Sequence, residues 1–475
     1  MYQNVPIYRA IKEYSCSNSV AFHMPGHKLG KSIPQELAEN LIHMDLTEIP
    51  GTDNLHYPEG PIQEAQELAA CAFGADKTFF LVNGSTAGVQ AMIMAICKPG
   101  TKLIVNRDCH KSVINGMILG SVTPVYIKPT FIEEFGIPSA IDAACIESIL
   151  RENPDAAGVL ITRPNYYGIC SDICEIAKIV HSHGKILAVD EAHGAHLKFN
   201  SKLPVCAMDG GADICVQSAH KTLPALTQAA YLHVKGNRVD IDRLKFYLSA
   251  LQTSSPSYIL MTSLDAARQM MQSSGPELLE SLLKNIDTFK KSVRKSGLEI
   301  LNGKCVKLGN HDDTRLVINV KSLGKTGYEV DKLLRSKFNI QVEMADFNNI
   351  VCISTVADAC EDFEKLGSAL MEISSNFKNN APLADIYIAN IKIPQTAIDL
   401  KNVCNMEGRY IKLKEAAGMI SKSIITPYPP GVPVVCPGEI IDEEAILYIK
   451  DVVNAGGVVN GLTKDMEIFV AKRAV

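Results

Sequence analysis

The chain has 475 residues, and its 47% of hydrophobic and 21% of charged side chains are typical of a folded protein with a large core. A net charge of only −5 argues against a nucleic-acid partner, and the lack of an apolar run of about 18 residues argues against a membrane-spanning helix. The N-terminal stretch "MYQNVPIYRAIKEYS" lacks the apolar core of a signal peptide, so we expect a cytoplasmic protein whose 14 cysteines are reduced. No metal site is predicted, because Cys170 and Cys174 have no second pair nearby.

The first 60 residues are irregular and rich in His, Pro and Gly, and we interpret them as an N-terminal arm. Short apolar strands and amphipathic helices then alternate from Ile62 onward. The predicted strands are "TFFLV", "KLIVN", "TPVYI", "AGVLIT", "KILAVD", "ADICVQ" and "AAYLHV". The predicted helices are "IQEAQELAACAFG", "STAGVQAMIMAIC", "CHKSVINGMILG", "CIESILREN" and "SDICEIAKIVHSHG", followed by long helices between residues 237 and 296. This alternation predicts an α/β fold with a mixed, mostly parallel sheet covered on both faces.

The pattern changes to α+β near residue 300, where "TRLVINV", "GYEVDKLLRSKF" and "NIVCIST" indicate a strand, a helix and a strand. We therefore divide the chain into an arm (1–60), a large domain (61–298) and a smaller α+β C-terminal domain (299–475). The prolines of "HMPGHKLG" and "TPYPPGVPVVCPGE" predict rigid segments at the surface or against a neighbouring subunit. The overlapping stretch "GHKLGKS" has only three residues between its glycines, so a nucleotide-binding P-loop is not predicted there.

Polar side chains cluster where predicted strands end. Asp190 ends "KILAVD", and the run "SAHK" that follows "ADICVQ" ends at Lys221. The stretch "NGSTAG" joins the strand "TFFLV" to a helix, whose N-terminal N–H groups favour an anion such as phosphate. His110 also follows a strand and opens a helix, where its imidazole could stack on a planar ring.

These groups suit pyridoxal 5'-phosphate. Its phosphate needs a helix N-terminus and hydroxyls, its pyridine nitrogen needs a carboxylate, and its aldehyde needs a lysine amine. Each group alone has an ordinary explanation, such as a capping Asp, a solvated Lys or a plain helix start. The four groups occur along the chain in the order helix N-terminus ("NGSTAG"), His110, Asp190 and Lys221. This order favours binding of the cofactor.

Several segments resemble the major domain of the Orn/Lys/Arg decarboxylase family of fold-type-I pyridoxal-phosphate enzymes. The segments are "FLVNGSTAGVQAMIMA", "NRDCHKSVINGMILG", "AVDEAHGAHLKF", "VQSAHKTLPALTQAAYLHV" and "LQTSSPSYILMTSLDAAR". "FHMPGHKLG", "DNLHYPEGPI" and "PYPPGVPVVCPGE" resemble the family's N-terminal and C-terminal segments, so the resemblance spans nearly the whole chain. Because it starts directly at "PIYRAIKEYS", the chain resembles the shorter members, which lack a response-regulator-like wing domain. Many relatives carry Thr in place of Ala219.

The resemblance implies a role for each of these strand-end residues. Lys221 would form the Schiff base, and His220 would contact the phosphate or substrate and assist proton transfer. Asp190 would pair with the pyridinium nitrogen. Ala192 would pack on one face of the ring, and His110 would stack on the other.

The resemblance also implies phosphate contacts from both subunits of a dimer. The ligands within the chain would be Ser85, Thr86 and Ser218, while Thr253 or Ser254 would reach the phosphate held by the partner subunit. His193 would line the same site. We therefore expect a homodimer or a higher even oligomer.

The expected reaction is decarboxylation of a small basic L-amino acid in polyamine biosynthesis. The resemblance favours arginine and leaves lysine and ornithine open. Another fold-type-I reaction, such as transamination or β-elimination, is the alternative. Asp53, Glu59 and Glu439 are candidates for binding the distal cation of the substrate, and each is equally well explained as a solvated charge.

Overall fold

The computed structural model describes residues 4–377, 381, 383, 392–428 and 432–472. Its α-helices are α1 (Pro6–Ser15), α2 (Gln35–Asn40), α3 (Pro61–Phe73), α4 (Gly84–Ile96), α5 (Lys111–Gly120), α6 (Ala143–Glu152), α7 (Ile173–Ser182), α8 (Ala219–Thr222), α9 (Ile241–Leu251), α10 (Tyr258–Arg294), α11 (Gly327–Phe338), α12 (Cys360–Phe377), α13 (Leu400–Asn405) and α14 (Glu443–Asn454). The strands in the first half are β1 (Val20–Phe22), β2 (Lys77–Leu81), β3 (Lys102–Asn106), β4 (Thr123–Ile127), β5 (Phe131–Ile132), β6 (Ile137–Pro138), β7 (Gly158–Thr162), β8 (Ile169–Ser171), β9 (Ile186–Asp190), β10 (Ile214–Gln217) and β11 (Ala230–Val234). The later strands are β12 (Glu299–Ile300), β13 (Gly309–His311), β14 (Arg315–Asn319), β15 (Ile340–Val342), β16 (Met344–Ala345), β17 (Asn349–Ile353), β18 (Gly408–Lys412), β19 (Thr426–Tyr428), β20 (Val458–Asn460) and β21 (Glu467–Ala471).

A seven-stranded sheet forms the centre of the molecule, in the order β2-β11-β10-β9-β7-β3-β4. The pairs from β10 to β4 are parallel, and β11 runs antiparallel to both of its neighbours. Strands such as β7 and β10 are buried at every position, because helices cover both faces of the sheet. The predicted mixed, mostly parallel α/β fold is confirmed.

Two apolar clusters lie on opposite faces of this sheet. One joins side chains of α3, α6, α7 and α10, and the other joins those of α4, α5 and α9. Alternate residues of one strand contribute to different clusters, as Ile104 and Leu103 of β3 do, because successive strand side chains point to opposite faces. Packing on both faces therefore fixes the positions of the strands and of the residues that follow their carboxyl ends.

The C-terminal half contains a second sheet, in the order β12-β14-β17-β16, against which α11 and α12 pack. The final residues add α13, α14 and the paired strands β18–β21 and β19–β20. Our division at residues 60 and 298 stays a prediction. Strand β1, in the predicted arm, pairs in parallel with β15 of the predicted C-terminal domain.

The two proline-containing segments differ from our expectation of surface loops. Gly26 and Lys28 of "HMPGHKLG" are buried within the chain, and Lys28 is only 1% exposed. In "TPYPPGVPVVCPGE", Thr426–Tyr428 form a strand, and residues 433–439 are buried, while residues 429–431 lie outside the described residues. Val434 and Val435 belong to an apolar cluster with α14. The described parts of both segments therefore contribute to the chain's own core, while their predicted contact with a neighbouring subunit stays a prediction.

Among the described ranges, no helix has both the length and the apolar character needed to cross a membrane. The same ranges contain no group of three or more His, Cys, Asp or Glu side chains arranged to hold a metal ion.

Candidate functional site

Asp190 and Lys221 meet at the carboxyl edge of the central sheet. Strands β9 and β10 are parallel, with Val216 opposite Asp190, so both strands end at the same level. Ser218 then leads into the short helix α8, which carries His220 and Lys221. The sequence therefore places a carboxylate and an amine side by side because two neighbouring parallel strands end there.

The Lys221 side chain is half-buried, and its Nζ lies 3.1 Å from Nε2 of His193. Burial lowers the pKa of the Lys221 amine, while the carboxylate of Asp190 favours its charged form. Burial in turn raises the pKa of Asp190, and the Lys221 charge opposes that rise. One Asp190 oxygen accepts a hydrogen bond from the backbone N–H of Ala192 at 3.2 Å. The charge of each group therefore affects the pKa of the other.

The N-terminus of α4 forms a polar cradle beside them. Gly84 has a φ of +74° at the sharp turn from β2 into the helix, which favours glycine. Ser85 and Thr86 occupy the first turn, where backbone N–H groups have no partner within the helix. The hydroxyl of Ser218 donates to that of Ser85 at 2.7 Å, although the two residues are 133 positions apart. This cradle offers hydroxyls and N–H groups to an anion.

His110 and His220 flank the same space as neutral imidazoles. His110 caps α5 by accepting from the N–H of Ser112 at 3.2 Å, and burial followed by the Lys221 charge lowers its pKa to about 3. His220 Nδ1 lies 3.0 Å from the carbonyl oxygen of Ala229, so Nδ1 carries the proton that donates there. Burial lowers the pKa of His220 to about 4.

Thr253 and Ser254 lie apart from this cluster, with both residues exposed. The carbonyl of Thr253 accepts from Nε2 of His56 at 2.9 Å. In the part of the chain that the structure describes, no hydrogen bond joins either hydroxyl to the cradle or to Lys221. Their predicted contact with a partner subunit stays a prediction.

The three acidic candidates differ in their surroundings. Asp53 accepts hydrogen bonds from the backbone N–H groups of Asn54, Glu59, Gly60 and Ile62 and thereby holds the loop before α3. Glu439 is buried and forms an ion pair with Arg107 at 2.7 Å. Glu59 is exposed on the Asp53 loop. The carboxylates of Asp53 and Glu439 are therefore occupied within the chain.

Two charged residues from the C-terminal half reach the site and were missed by our sequence reasoning. Glu343, between β15 and β16, accepts from the N–H of Met24 at 2.9 Å, and its charge acts on the Lys221 amine. Arg315 begins the buried strand β14, and its Nη2 donates to Nδ1 of His193 at 3.0 Å. A charged residue inside an apolar strand pattern, as in "TRLVINV", was the available signal.

The N-terminal segment supports the site from behind. The N–H of Gly26 donates to the carbonyl of His220 at 2.7 Å, and the hydroxyl of Thr355 donates to the carbonyl of Gly26 at 2.7 Å. The buried Nζ of Lys28 donates to the carbonyls of His23 and Ile353 at 3.0 and 2.7 Å. The segment therefore connects α8 to the second sheet.

Comparisons with known proteins point to one family. The family model "Orn/Lys/Arg decarboxylase, major domain" matches residues 5–313, and the model of the family's C-terminal domain matches residues 388–471. The arginine decarboxylase of Bacillus subtilis (strain 168) is 39% identical over 467 residues, which cover 96% of this chain and 95% of that protein. The arginine decarboxylase of Bacillus anthracis is 36% identical over 467 residues, 96% of this chain and 94% of that protein.

Solved structures share the fold. The constitutive lysine decarboxylase of E. coli superposes with a TM-score of 0.77 over 98% of this chain and 82% of that one, at 19% identity. Lysine decarboxylase A from Pseudomonas aeruginosa gives a TM-score of 0.77 over 98% of this chain and 80% of that one, at 21% identity. The fold is that of fold-type-I pyridoxal-phosphate enzymes, as the sequence resemblance implied.

Proposed function

The chain belongs to the Orn/Lys/Arg decarboxylase family, and from that premise we propose that it decarboxylates L-arginine, releasing CO₂ and agmatine. Pyridoxal-phosphate-dependent decarboxylation of a basic amino acid is the activity of this family and of this chain. The choice of arginine is supported by the relatives named arginine decarboxylase, which are 36–39% identical over nearly the whole chain. Lysine and ornithine remain the substrates to be tested against it.

The residues at the strand ends fit pyridoxal 5'-phosphate. Ser85, Thr86 and Ser218 supply hydroxyls at the N-terminus of α4, which suits the phosphate. The buried Asp190 carboxylate suits a protonated ring nitrogen, and the Lys221 amine suits the aldehyde. We assign the ring faces to His110 and Ala192. Of these observations, the position of the buried Asp190 and the half-buried Lys221 at one sheet edge carries the most weight.

When bound, the cofactor supplies a sink for the electron pair released as the Cα–carboxylate bond breaks. The work of the chain is to hold charge and to move a proton. Asp190 stabilises positive charge at the ring nitrogen. The Lys221 amine would take up the proton that the substrate ammonium gives up and would return it to Cα, because the proton of His220 is held at Nδ1 by the carbonyl of Ala229. We therefore favour Lys221 over His220 as the acid.

We assign the distal cation of the substrate to Glu343. Among the described residues, its carboxylate accepts one hydrogen bond, from the N–H of Met24, and no cationic side chain forms an ion pair with it. It lies close enough to influence the charge of Lys221. Asp53 and Glu439 are occupied by backbone N–H groups and by Arg107, so neither has a carboxylate free for a guanidinium.

A substrate panel tests this proposal. Wild-type protein is given L-arginine, L-lysine and L-ornithine, and CO₂ and amine are measured for each. We expect arginine to give the highest kcat/KM, and Glu343→Gln to lower it by about tenfold or more, mainly through KM, because a charge-assisted hydrogen bond is lost. Asp53→Asn is the matched control, because the Asp53 carboxylate accepts backbone N–H groups of the loop before α3. Preference for lysine or ornithine, or a keto-acid product, would reject the assignment.

We further propose a cytoplasmic homodimer, or a higher even oligomer, that serves polyamine biosynthesis. All fourteen cysteines are free, which supports a reducing compartment. Thr253 and Ser254 are exposed, as a contact with the phosphate of a partner subunit requires. Exposed apolar side chains support a subunit interface, and they include Ile42, Leu46, Ile49, Tyr57 and Phe246.

A further inference from the structure

Both ring nitrogens of His193 are in use. Nδ1 lies 3.0 Å from Nη2 of Arg315, and Nε2 lies 3.1 Å from Nζ of Lys221. His193 is buried, and burial followed by the Lys221 and Arg315 charges lowers its pKa well below the usual value. The imidazole is therefore neutral and carries one proton. Its two neighbours determine which ring nitrogen holds that proton.

The chemistry of Arg315 decides that placement. A guanidinium has only donors and does not lose its proton in proteins, so Nδ1 of His193 must be the acceptor. The single imidazole proton then sits on Nε2, which becomes a donor facing Lys221. An ammonium group also has only donors, and it could not face this N–H. Only a neutral amine, with its lone pair, completes the chain of hydrogen bonds.

We propose that Arg315 is a positioning residue that fixes His193 as the Nε2–H tautomer and thereby holds the Lys221 side chain as a neutral, nucleophilic amine. This inference rests on the proposed role of Lys221 as the residue that takes up the cofactor. It also links the reactivity of Lys221 to the second sheet, because Arg315 lies on strand β14 of that sheet. The neutral state of Lys221 therefore depends on the packing of β14 against the loop after β9, which carries His193.

The position of Arg315 is built into the fold. Gly168 has a φ of +81°, and a Cβ there would lie 2.6 Å from the Cβ of Arg315, so only glycine leaves room for the arginine stem. The N–H of Arg315 donates to the carbonyl of Asp312 at 3.0 Å, and the Asp312 carboxylate pairs with His196 at 3.1 Å. Nε of Arg315 has no partner among the described residues. A buried guanidinium kept without an ion pair is costly, which suggests a function for it.

Other charged groups around Lys221 act in both directions. The carboxylates of Asp190 and Glu343 favour its ammonium form, whereas burial and the Arg315 charge favour the neutral amine. His110 and His220 also face this space, and the pKa of each is lowered by burial and by the Lys221 charge. Because both are neutral near pH 7, they add no charge that titrates there. Arg315 could therefore act through His193 or simply through its own charge, and the experiment must separate the two.

The test measures how fast the cofactor-free full chain takes up pyridoxal 5'-phosphate between pH 6 and pH 10, followed by the visible absorbance of the bound cofactor. We expect Arg315→Met to move the midpoint of this profile upward by about one pH unit, which slows uptake at pH 7 by about tenfold. Arg315→Lys, which keeps a donor and a charge, should restore most of the rate. Arg268→Met, a change at a buried arginine on α10, is the matched control and should leave the midpoint unchanged.

The same substitution in a His193→Phe background separates the two routes. If Arg315 acts through His193, adding Arg315→Met to His193→Phe changes uptake by no more than about twofold. The proposal is overturned if the tenfold loss persists in that background, or if Arg315→Met leaves the wild-type midpoint in place. Arg315→Gln replaces Arg315→Met if the latter does not fold. Failure of wild-type protein to bind the cofactor or release CO₂ would instead reject the proposed function.

Discussion

Asp190 is the residue whose burial matters most for the proposed chemistry. It is only 3% exposed, and among the described residues its carboxylate accepts one hydrogen bond, donated by the backbone N–H of Ala192. Burial raises its pKa, so the negative charge needs a positive partner within the site. Lys221 contributes that charge only in its ammonium form. A protonated ring nitrogen would supply it permanently.

We predict that Asp190→Asn retains the cofactor but lowers kcat by about 100-fold or more, because a neutral amide cannot stabilise positive charge at the ring nitrogen. Cofactor content is measured by absorbance, and kcat by CO₂ release. Asp172→Asn makes the same change at the N-cap of α7, where the carboxylate accepts from the N–H groups of Cys174 and Glu175 and an amide oxygen can still accept. This control should keep kcat within a few-fold of wild type. A kcat for Asp190→Asn in that same range would remove Asp190 from the ring-partner role.

Sequence reasoning located the residues that follow strands and missed those that arrive from elsewhere. Asp190, Lys221 and the Ser85 cradle were predictable because parallel strands deliver their carboxyl ends to one sheet edge. Glu343 and Arg315 enter from the second sheet, through contacts that span more than 90 residues of sequence. No local pattern predicts such contacts, because they depend on how two sheets pack together.

At the scale of elements, hydrophobic periodicity identified most of the regular structure. "KLIVN" and "TPVYI" coincide with β3 and β4, and "GYEVDKLLRSKF" coincides with α11, which begins with a capping box at Thr326. The burial of Gly26 and Lys28 in the N-terminal segment was not predicted, because proline and glycine indicate turns without indicating whether a turn is buried. Its Lys28, which belongs to the rejected P-loop pattern, is satisfied by backbone carbonyls inside the protein.

We predict that Gly26→Ala destabilises the protein and weakens cofactor binding together. A Cβ at Gly26 would lie 2.6 Å from the backbone oxygen of Leu223, directly after α8, so the segment and the helix must move apart. The expected loss of unfolding free energy is about 1–3 kcal/mol. Thermal melting with and without cofactor measures it.

Gly303→Ala is the matched control, because nothing lies within 4 Å of a Cβ placed there. It should leave both the melting temperature and cofactor affinity close to wild type. Equal behaviour of the two variants would mean that the N-terminal segment does not support α8.

At the scale of the whole molecule, the described surface is not evenly polar. Helix α1 has no buried residue, and its Ile7 and Ile11 are 74% and 63% exposed. Tyr57 and Phe246 are 78% and 67% exposed, and both line an open pocket of about 850 Å³ together with Leu55 and Gln252. Apolar groups this exposed support the proposed subunit interface, and two-fold symmetry is the commonest way for identical chains to form one.

The last prediction is that two inactive variants restore each other. Lys221→Ala removes the amine, and Thr253→Phe with Ser254→Phe blocks the proposed contact with the partner's phosphate. In a dimer whose sites use both chains, a mixed dimer has one site with both lesions and one site with neither. Random exchange of subunits should therefore return about one quarter of wild-type activity to the whole mixture and about one half to the doubly tagged mixed dimers. Subunit exchange is verified with two affinity tags, and activity is measured on the doubly tagged fraction. Exchange without recovery, or full activity in a monomer on a sizing column, would show that each chain holds a complete site.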